Sequence, residues 1–157
     1  MAKQILKGTT MLMLIVGLAL ASAVVANGQS QPALVAQVPF DFVVGEKTLR
    51  TGEYRVNQAA AGEAIMITNS DNGDQIFRLS YSAGRTRDRE LAAKLVFHRY
   101  NNTYFLSQVW MAGDSNGREL PKTKQERGIE RELKAIAANH DNGKPLYEVV
   151  EVLAIVR

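Results

Sequence analysis

The chain has 157 residues, of which 46% are hydrophobic, with 19 Lys and Arg against 16 Asp and Glu. It contains no cysteine, which excludes disulfides and a lipid-modified N-terminal thiol. The net charge is only +3, and two of the cations, Lys3 and Lys7, lie within the first seven residues.

Met1-Ala2-Lys3-Gln4-Ile5-Leu6-Lys7 carries two positive charges and no acid. An apolar run follows from Met11 to Leu20, and small residues take over at Ala21-Ser22-Ala23 and Val24-Val25-Ala26. These are the three regions of a secretory signal peptide. Residues 1–26 are expected to be removed, with Ala23 as the other candidate cleavage site, leaving 27–157 as a single β-rich domain in the periplasm or secreted. The apolar stretch from Met11 to Ala26 is 16 residues and is interrupted by Gly17 and Ser22. Spanning a bilayer takes about 20, so no transmembrane segment is expected in the mature chain. Without Lys3 and Lys7 the mature chain has seventeen basic and sixteen acidic residues, a net of +1. Such a balance does not support nucleic-acid binding. Roughly 130 residues suit one domain whose core must hold the fold without covalent staples.

Seven strand-like runs follow, at 33–44, 52–58, 64–69, 75–82, 92–100, 103–111 and 146–156. Each is rich in β-branched or aromatic residues and bounded by Gly, Asn or Asp. Asn72-Gly73 is suited to a tight two-residue turn. That turn pairs Thr68 with Phe77, Met66 with Leu79 and Ala64 with Tyr81 on the expected core face, with Ile67–Arg78 and Ile65–Ser80 behind. A second hairpin about Asn101-Asn102 pairs Arg99 with Tyr104, Phe97 with Leu106, Leu95 with Gln108 and Ala93 with Trp110. His98–Phe105 and Val96–Ser107 lie on its other face. Neither face of this hairpin is purely polar, which predicts sheet covered on both sides.

One late helix is predicted from Pro121, a residue suited to a first helical turn, to Ala138. Ile129, Leu133, Ile136 and Ala137 form its apolar stripe, and Glu130 and Lys134 are paired four residues apart. Gly128 weakens it by about 1 kcal/mol relative to Ala. The expected fold is mainly β: a small antiparallel barrel or sandwich of six to seven strands with this helix covering an opening or face.

Val38-Pro39-Phe40-Asp41-Phe42-Val43-Val44-Gly45, Lys47-Thr48-Leu49 and Gly52-Glu53-Tyr54-Arg55-Val56 resemble an uncharacterised group of small exported bacterial proteins. Leu95-Val96-Phe97-His98-Arg99-Tyr100, Tyr104-Phe105-Leu106 and Gly117-Arg118-Glu119-Leu120-Pro121 are similar to later blocks of that group. The resemblance covers most of the mature chain. It implies export and a compact β-rich domain, and no activity, substrate or cofactor. Arg50-Thr51 stands where the group usually has Pro-Ala, which predicts a looser turn before Gly52.

Gly113-Asp114-Ser115-Asn116-Gly117 matches the G-x-S-x-G nucleophile elbow and lies between a predicted strand and helix. The elbow needs a helix starting at the nucleophile, whereas Arg118-Glu119-Leu120-Pro121 intervene. Its triad would need Glu126, Glu130 or Glu132 and then His140. A polar turn is the preferred reading, with a small serine hydrolase using Ser115 as the alternative. His98 sits in a strand and His140 in a turn, without H-x-H, H-E-x-x-H or cysteine spacing, so no metal site and no cofactor are expected. The Asp-Asn-Gly-rich turns at Asp71, Asp114 and Asp141 lack the ligand series of an EF-hand; Ser82 stands where Asp71 would need a terminal Glu. Arg85-Thr86-Arg87-Asp88-Arg89-Glu90 has its arginines diluted by acids and reads as a solvated loop. Asn101-Asn102-Thr103 is a formal glycosylation sequon, uninformative in a tight turn.

Phe97, Tyr100, Tyr104, Phe105 and Trp110 all fall in one hairpin. Core packing is the ordinary role of such rings. If a face of the domain binds, this one has the composition for it. Tyr100, Tyr104 and Trp110 would supply area, and His98 or Arg99 the polar handle. The expectation is a non-enzymatic exported binding or envelope-associated module, with an envelope glycan, lipid or protein as partner.

Overall fold

A computed structural model describes residues 32–59, 63–85, 92–138 and 145–157. The predicted signal peptide and its cleavage sites, most of the arginine-rich loop, and the turn carrying His140 and Asp141 lie outside the described residues.

The first strand, β1 (Leu34–Val38), is almost wholly buried, as its apolar run requires. The chain continues through β2 (Phe42–Val44), β3 (Lys47–Leu49), β4 (Gly52–Gln58), β5 (Ala64–Asn69), β6 (Gln75–Leu79) and β7 (Tyr81–Arg85). After β8 (Lys94–Tyr100), β9 (Thr103–Trp110) and β10 (Asn116–Glu119) come the helix α1 (Lys124–Ala138) and the strands β11 (Glu148–Leu153) and β12 (Ile155–Val156). Five strands form one sheet in the order β12-β1-β4-β5-β6. Seven form the other, in the order β11-β8-β9-β10-β7, with β2 and β3 attached alongside β9. The mainly β class with one late helix is as expected. The sheets are not closed into a barrel.

Alternation places Leu34, Ala36, Val38, Tyr54, Val56, Ile65, Ile67 and Ile76 of the first sheet on one side. They share a core with Phe42, Val44, Leu95, Phe97, Leu106 and Val109 of the second. Each fully buried side chain of this kind contributes about 1.5–3 kcal/mol. Three of the expected strands serve both sheets: the run 33–44 divides into β1 of the five-stranded sheet and β2 of the seven-stranded one across Pro39-Phe40-Asp41, and the other two are bent chains. β6 passes into β7 through Ser80 alone, and β11 into β12 through Ala154 alone. Strands that switch sheets in this way make the corners of a packed pair of sheets. The Ser80 corner is fixed from both sides: its N–H donates to the Glu63 carbonyl at 2.8 Å, and Arg118 Nη2 donates to its carbonyl at 2.8 Å. At the other corner the Ala154 N–H donates to the Ala93 carbonyl at 2.9 Å.

The β5–β6 register differs from expectation by two residues. Thr68 pairs with Gln75, Met66 with Phe77 and Ala64 with Leu79. The cause is Asn69, whose Oδ1 accepts the N–H groups of Asp71 at 2.8 Å and Asn72 at 3.1 Å. These bonds fold 70–73 into a longer turn, closed by Asn69 N–H to the Asp74 carbonyl at 2.9 Å. The expected core face is the outer one, because Ile65 and Ile67 supply the core instead. The β8–β9 turn is as expected, with Asn101 in the left-handed region at φ 52 and Arg99–Tyr104, His98–Phe105 and Phe97–Leu106 paired. Beyond Phe97 the register shifts, so that Leu95 faces Val109 and Lys94 faces Trp110. Ser107 is the extra residue of this bulge, and its carbonyl accepts the Leu120 N–H at 2.8 Å. The turn before Gly52 is held rather than loose. Thr51 donates from its backbone to Asp41 Oδ1 at 2.8 Å and from its hydroxyl to the Val38 carbonyl at 2.9 Å.

The helix starts three residues later than Pro121. Thr123 caps it, its Oγ1 accepting the Glu126 N–H at 2.9 Å, as a side-chain oxygen before the first turn should. Ile129 and Leu133 pack on Val43, Tyr100, Phe105 and Tyr147, on the face of the seven-stranded sheet that turns away from the core. Ile136 and Ala137, expected in the stripe, are exposed, and the apolar packing on the sheet is made by Ile129 and Leu133.

Candidate functional site

Period-two alternation along β8 sends Leu95 and Phe97 into the core between the sheets and His98 and Tyr100 toward α1. There they meet Glu126, in the first turn of the helix and only 3% exposed. His98 Nδ1 lies 3.1 Å from Glu126 Oε1, and the Tyr100 hydroxyl donates to the same oxygen over a long 3.4 Å. The imidazole stacks on the Tyr147 ring with centroids 4.0 Å apart, and Tyr100 lies 5.4 Å from that ring. The first turn of a helix favours an acidic side chain, which adds to these two bonds in holding a carboxylate away from water.

Burial, reinforced by the Glu126 and Glu130 carboxylates, pushes the Tyr100 hydroxyl well above its ordinary pKa. Beside it, Lys122 Nζ bonds Glu130 Oε2 at 2.9 Å, and Lys134 Nζ reaches Glu130 Oε1 at 3.0 Å. Hydrogen bonds from Lys122 and then Lys134 hold the Glu130 carboxyl below its usual range. Burial works against the charge of Lys122, but the Glu130 bond and the Glu130 and Glu126 charges outweigh it and raise its pKa.

At the turn end of the hairpin the surface opens into a cleft of about 470 Å³, lined by Arg99, Asn101, Pro145, Leu146, Tyr147 and Glu148. Arg99 is fixed at its rim. Nε donates to the Asn101 carbonyl at 2.9 Å, Nη1 to Glu148 Oε2 at 3.1 Å, and the guanidinium lies 5.5 Å over the Tyr104 ring. The cleft therefore presents a guanidinium–carboxylate pair and an amide beside an aromatic ring.

Of the residues singled out from sequence, the structure places His98 and Tyr100 together under α1, and Arg99 with Tyr104 on the other face of the hairpin. Tyr100 is buried under α1. Tyr104 is half-buried and stacks on Phe40 at 3.9 Å. Trp110 lies at the far end of the hairpin, half-buried, its Nε1 donating to Gln108 Oε1 at 3.0 Å. Its indole covers Gly117, where an added Cβ would come within 2.5 Å of the ring.

Glu126, Tyr147 and Glu148 join this hairpin although no sequence pattern within it marks them as its partners. The signal for Glu126 was present in the Thr123-x-x-Glu126 spacing of a capping box, and Tyr147 is the one Phe, Tyr or Trp after Trp110.

Ser115 lies in a turn that leads into β10 rather than a helix, and Asp114 Oδ1 accepts the Asn116 N–H at 2.8 Å. Among the described residues no group of three His, Cys, Asp or Glu side chains is placed to hold a metal ion. No helix among them is long and apolar enough to cross a membrane. Compared with known proteins, the chain matches no family model, no curated protein and no solved structure.

Proposed function

We propose that this protein is an exported, non-enzymatic binding module of the cell envelope that takes a polar ligand, a glycan before a lipid or protein, in the cleft beside the β8–β9 turn. The observation that carries this reading is the fixed Arg99 at the rim of that cleft, held by Asn101 and Glu148 next to Tyr147. A guanidinium ordered in advance forfeits little entropy when a hydroxyl-rich ligand arrives. The His98–Glu126–Tyr100 network backs one lining residue, Tyr147, on whose ring the His98 imidazole stacks. The charged start, apolar run and small-residue sites of residues 1–26 support export.

A serine hydrolase on Ser115 has the G-x-S-x-G spacing in its favour. The elbow's geometry requires a strand followed directly by a helix, and here a strand follows. The test is titration calorimetry of the purified protein against envelope polysaccharides. Arg99→Ala and Glu148→Gln should each weaken binding by about tenfold, or 1.4 kcal/mol, with the unfolding temperature nearly unchanged. Absence of heat with every polysaccharide, or equal affinity in both variants, would remove the cleft from consideration.

A further inference from the structure

Among the described residues lining the cleft, Arg99 is the one cation and Glu148 the one anion, and they are bonded to each other at 3.1 Å. The β8–β11 ladder sets these two residues directly opposite one another, so the backbone brings the charges together. Arg99 has two further restraints that do not involve Glu148. Its Nε donates to the Asn101 carbonyl at 2.9 Å, and the guanidinium lies 5.5 Å from the centre of the Tyr104 ring. Arg99 Nη2 and Glu148 Oε1 make no hydrogen bond to the described residues, and the two side chains are 37% and 65% exposed, open to a ligand.

The rings around this pair already have neighbours on them. Tyr104 stacks on Phe40 at 3.9 Å and carries Arg99 over its ring. Tyr147 stacks on His98 at 4.0 Å and has Lys122 Nζ 5.6 Å from its centre. Little open ring face is left for a sugar to stack upon, so recognition falls to hydrogen bonds. A donor beside an acceptor matches two neighbouring hydroxyls: one accepts from Nη2 and the other donates to Oε1. An ionised carboxylate or phosphate has no proton to give Oε1, and it would place its charge beside that of Glu148.

We infer that the cleft selects uncharged, hydroxyl-bearing glycans over anionic ones, and that Glu148 is the residue that sets this selectivity. The inference rests on the cleft being the binding site. Its size follows from exposure: the pair lies at the surface, where two like charges about 4 Å apart repel by an amount worth about fivefold in affinity. Salt screens such a repulsion, so low ionic strength displays it best.

Titration calorimetry at low salt, on the processed protein purified from the exporting host, compares each neutral polysaccharide with its own carboxymethylated form. The neutral form should bind about fivefold more tightly. Glu148→Gln keeps the size of the side chain and removes its charge, while Asn101 and Tyr104 still hold Arg99. The variant should gain about fivefold for the carboxymethylated form as it loses affinity for the neutral one, and added salt should erase the gain. The bulk of the carboxymethyl group is the same for both proteins, so a change in the ratio reports charge. A carboxymethylated polymer bound at least as tightly as its neutral parent, or a ratio unaltered in Glu148→Gln, would overturn the selectivity; the cleft would remain the site if Arg99→Ala still weakened binding. Absence of heat with both forms of every polysaccharide, or binding indifferent to Arg99→Ala, would overturn the cleft itself and the inference with it.

Discussion

Glu126 places an acid where water scarcely reaches, and its neighbours explain how the fold tolerates it. Removing a carboxylate from water costs several kcal/mol unless partners replace the lost hydration. Here the partners are His98 Nδ1 at 3.1 Å and the Tyr100 hydroxyl at 3.4 Å, together with the capped first turn of α1. Glu126→Ala would leave the imidazole and the phenol buried without an acceptor, a loss of about 2–3 kcal/mol. Urea unfolding followed by tyrosine and tryptophan emission should show that loss as a lowered midpoint. Glu126→Gln keeps an acceptor oxygen and should cost less. An unchanged midpoint in Glu126→Ala would mean that the cluster contributes nothing to docking the helix.

At the scale of elements, α1 is a short amphipathic helix that needs its cap. Ile129 and Leu133 supply its apolar contacts with the sheet and Glu126 its bonds to His98 and Tyr100, and Gly128 lowers its intrinsic preference, so end effects carry weight. Thr123→Ala removes the oxygen that accepts the Glu126 N–H, and should lower stability by about 1 kcal/mol. The same change should speed exchange of the first-turn amides, and equal exchange in both proteins would count against the cap. The hairpins show what short-range signals convey. Asn101-Asn102 was legible because a two-residue turn fixes its own register. The turn near Asn72-Gly73 was not, because the Asn69 side chain competes for the same backbone groups one step earlier. The Ser107 bulge was hidden for another reason: its carbonyl is satisfied by Leu120, thirteen residues on and in a different element. Hydrophobic alternation located most of the strands, missing the short β3 and β10, but could not show that 33–44, 75–82 and 146–156 each divide between two sheets.

For the whole molecule, the same limit explains which part of the site was readable. His98, Arg99 and Tyr100 are neighbours on one strand, so composition alone grouped them. Glu126, Tyr147 and Glu148 join them only because α1 and β11 pack beside β8. The two layers also leave a joint signature in alkaline solution. Tyr54 lies in the core between the sheets, its hydroxyl donating to the Arg50 carbonyl at 2.6 Å, while Tyr100 lies beneath α1. Burial raises the pKa of both. For Tyr54 a hydrogen bond with Asn69 partly opposes the rise and the Asp41, Asp71 and Asp74 charges reinforce it; for Tyr100 Glu126 and Glu130 reinforce it. In the unfolded chain a tyrosine loses its proton near pH 10, while these two keep theirs when folded. The folded state therefore binds more protons above pH 10, and stability falls as pH rises through that range toward the folded values. Each such group contributes a slope of about 1.4 kcal/mol per pH unit where the two states differ fully. Urea unfolding should thus show little contribution from these groups between pH 7 and about 9 and a steep decline beyond about 10. Tyr100→Phe should remove close to one tyrosine's share of the slope, and phenolate absorbance should lag in the folded protein until it unfolds. A slope unaltered by Tyr100→Phe would show that its hydroxyl reaches solvent and that α1 does not seal the hairpin beneath it.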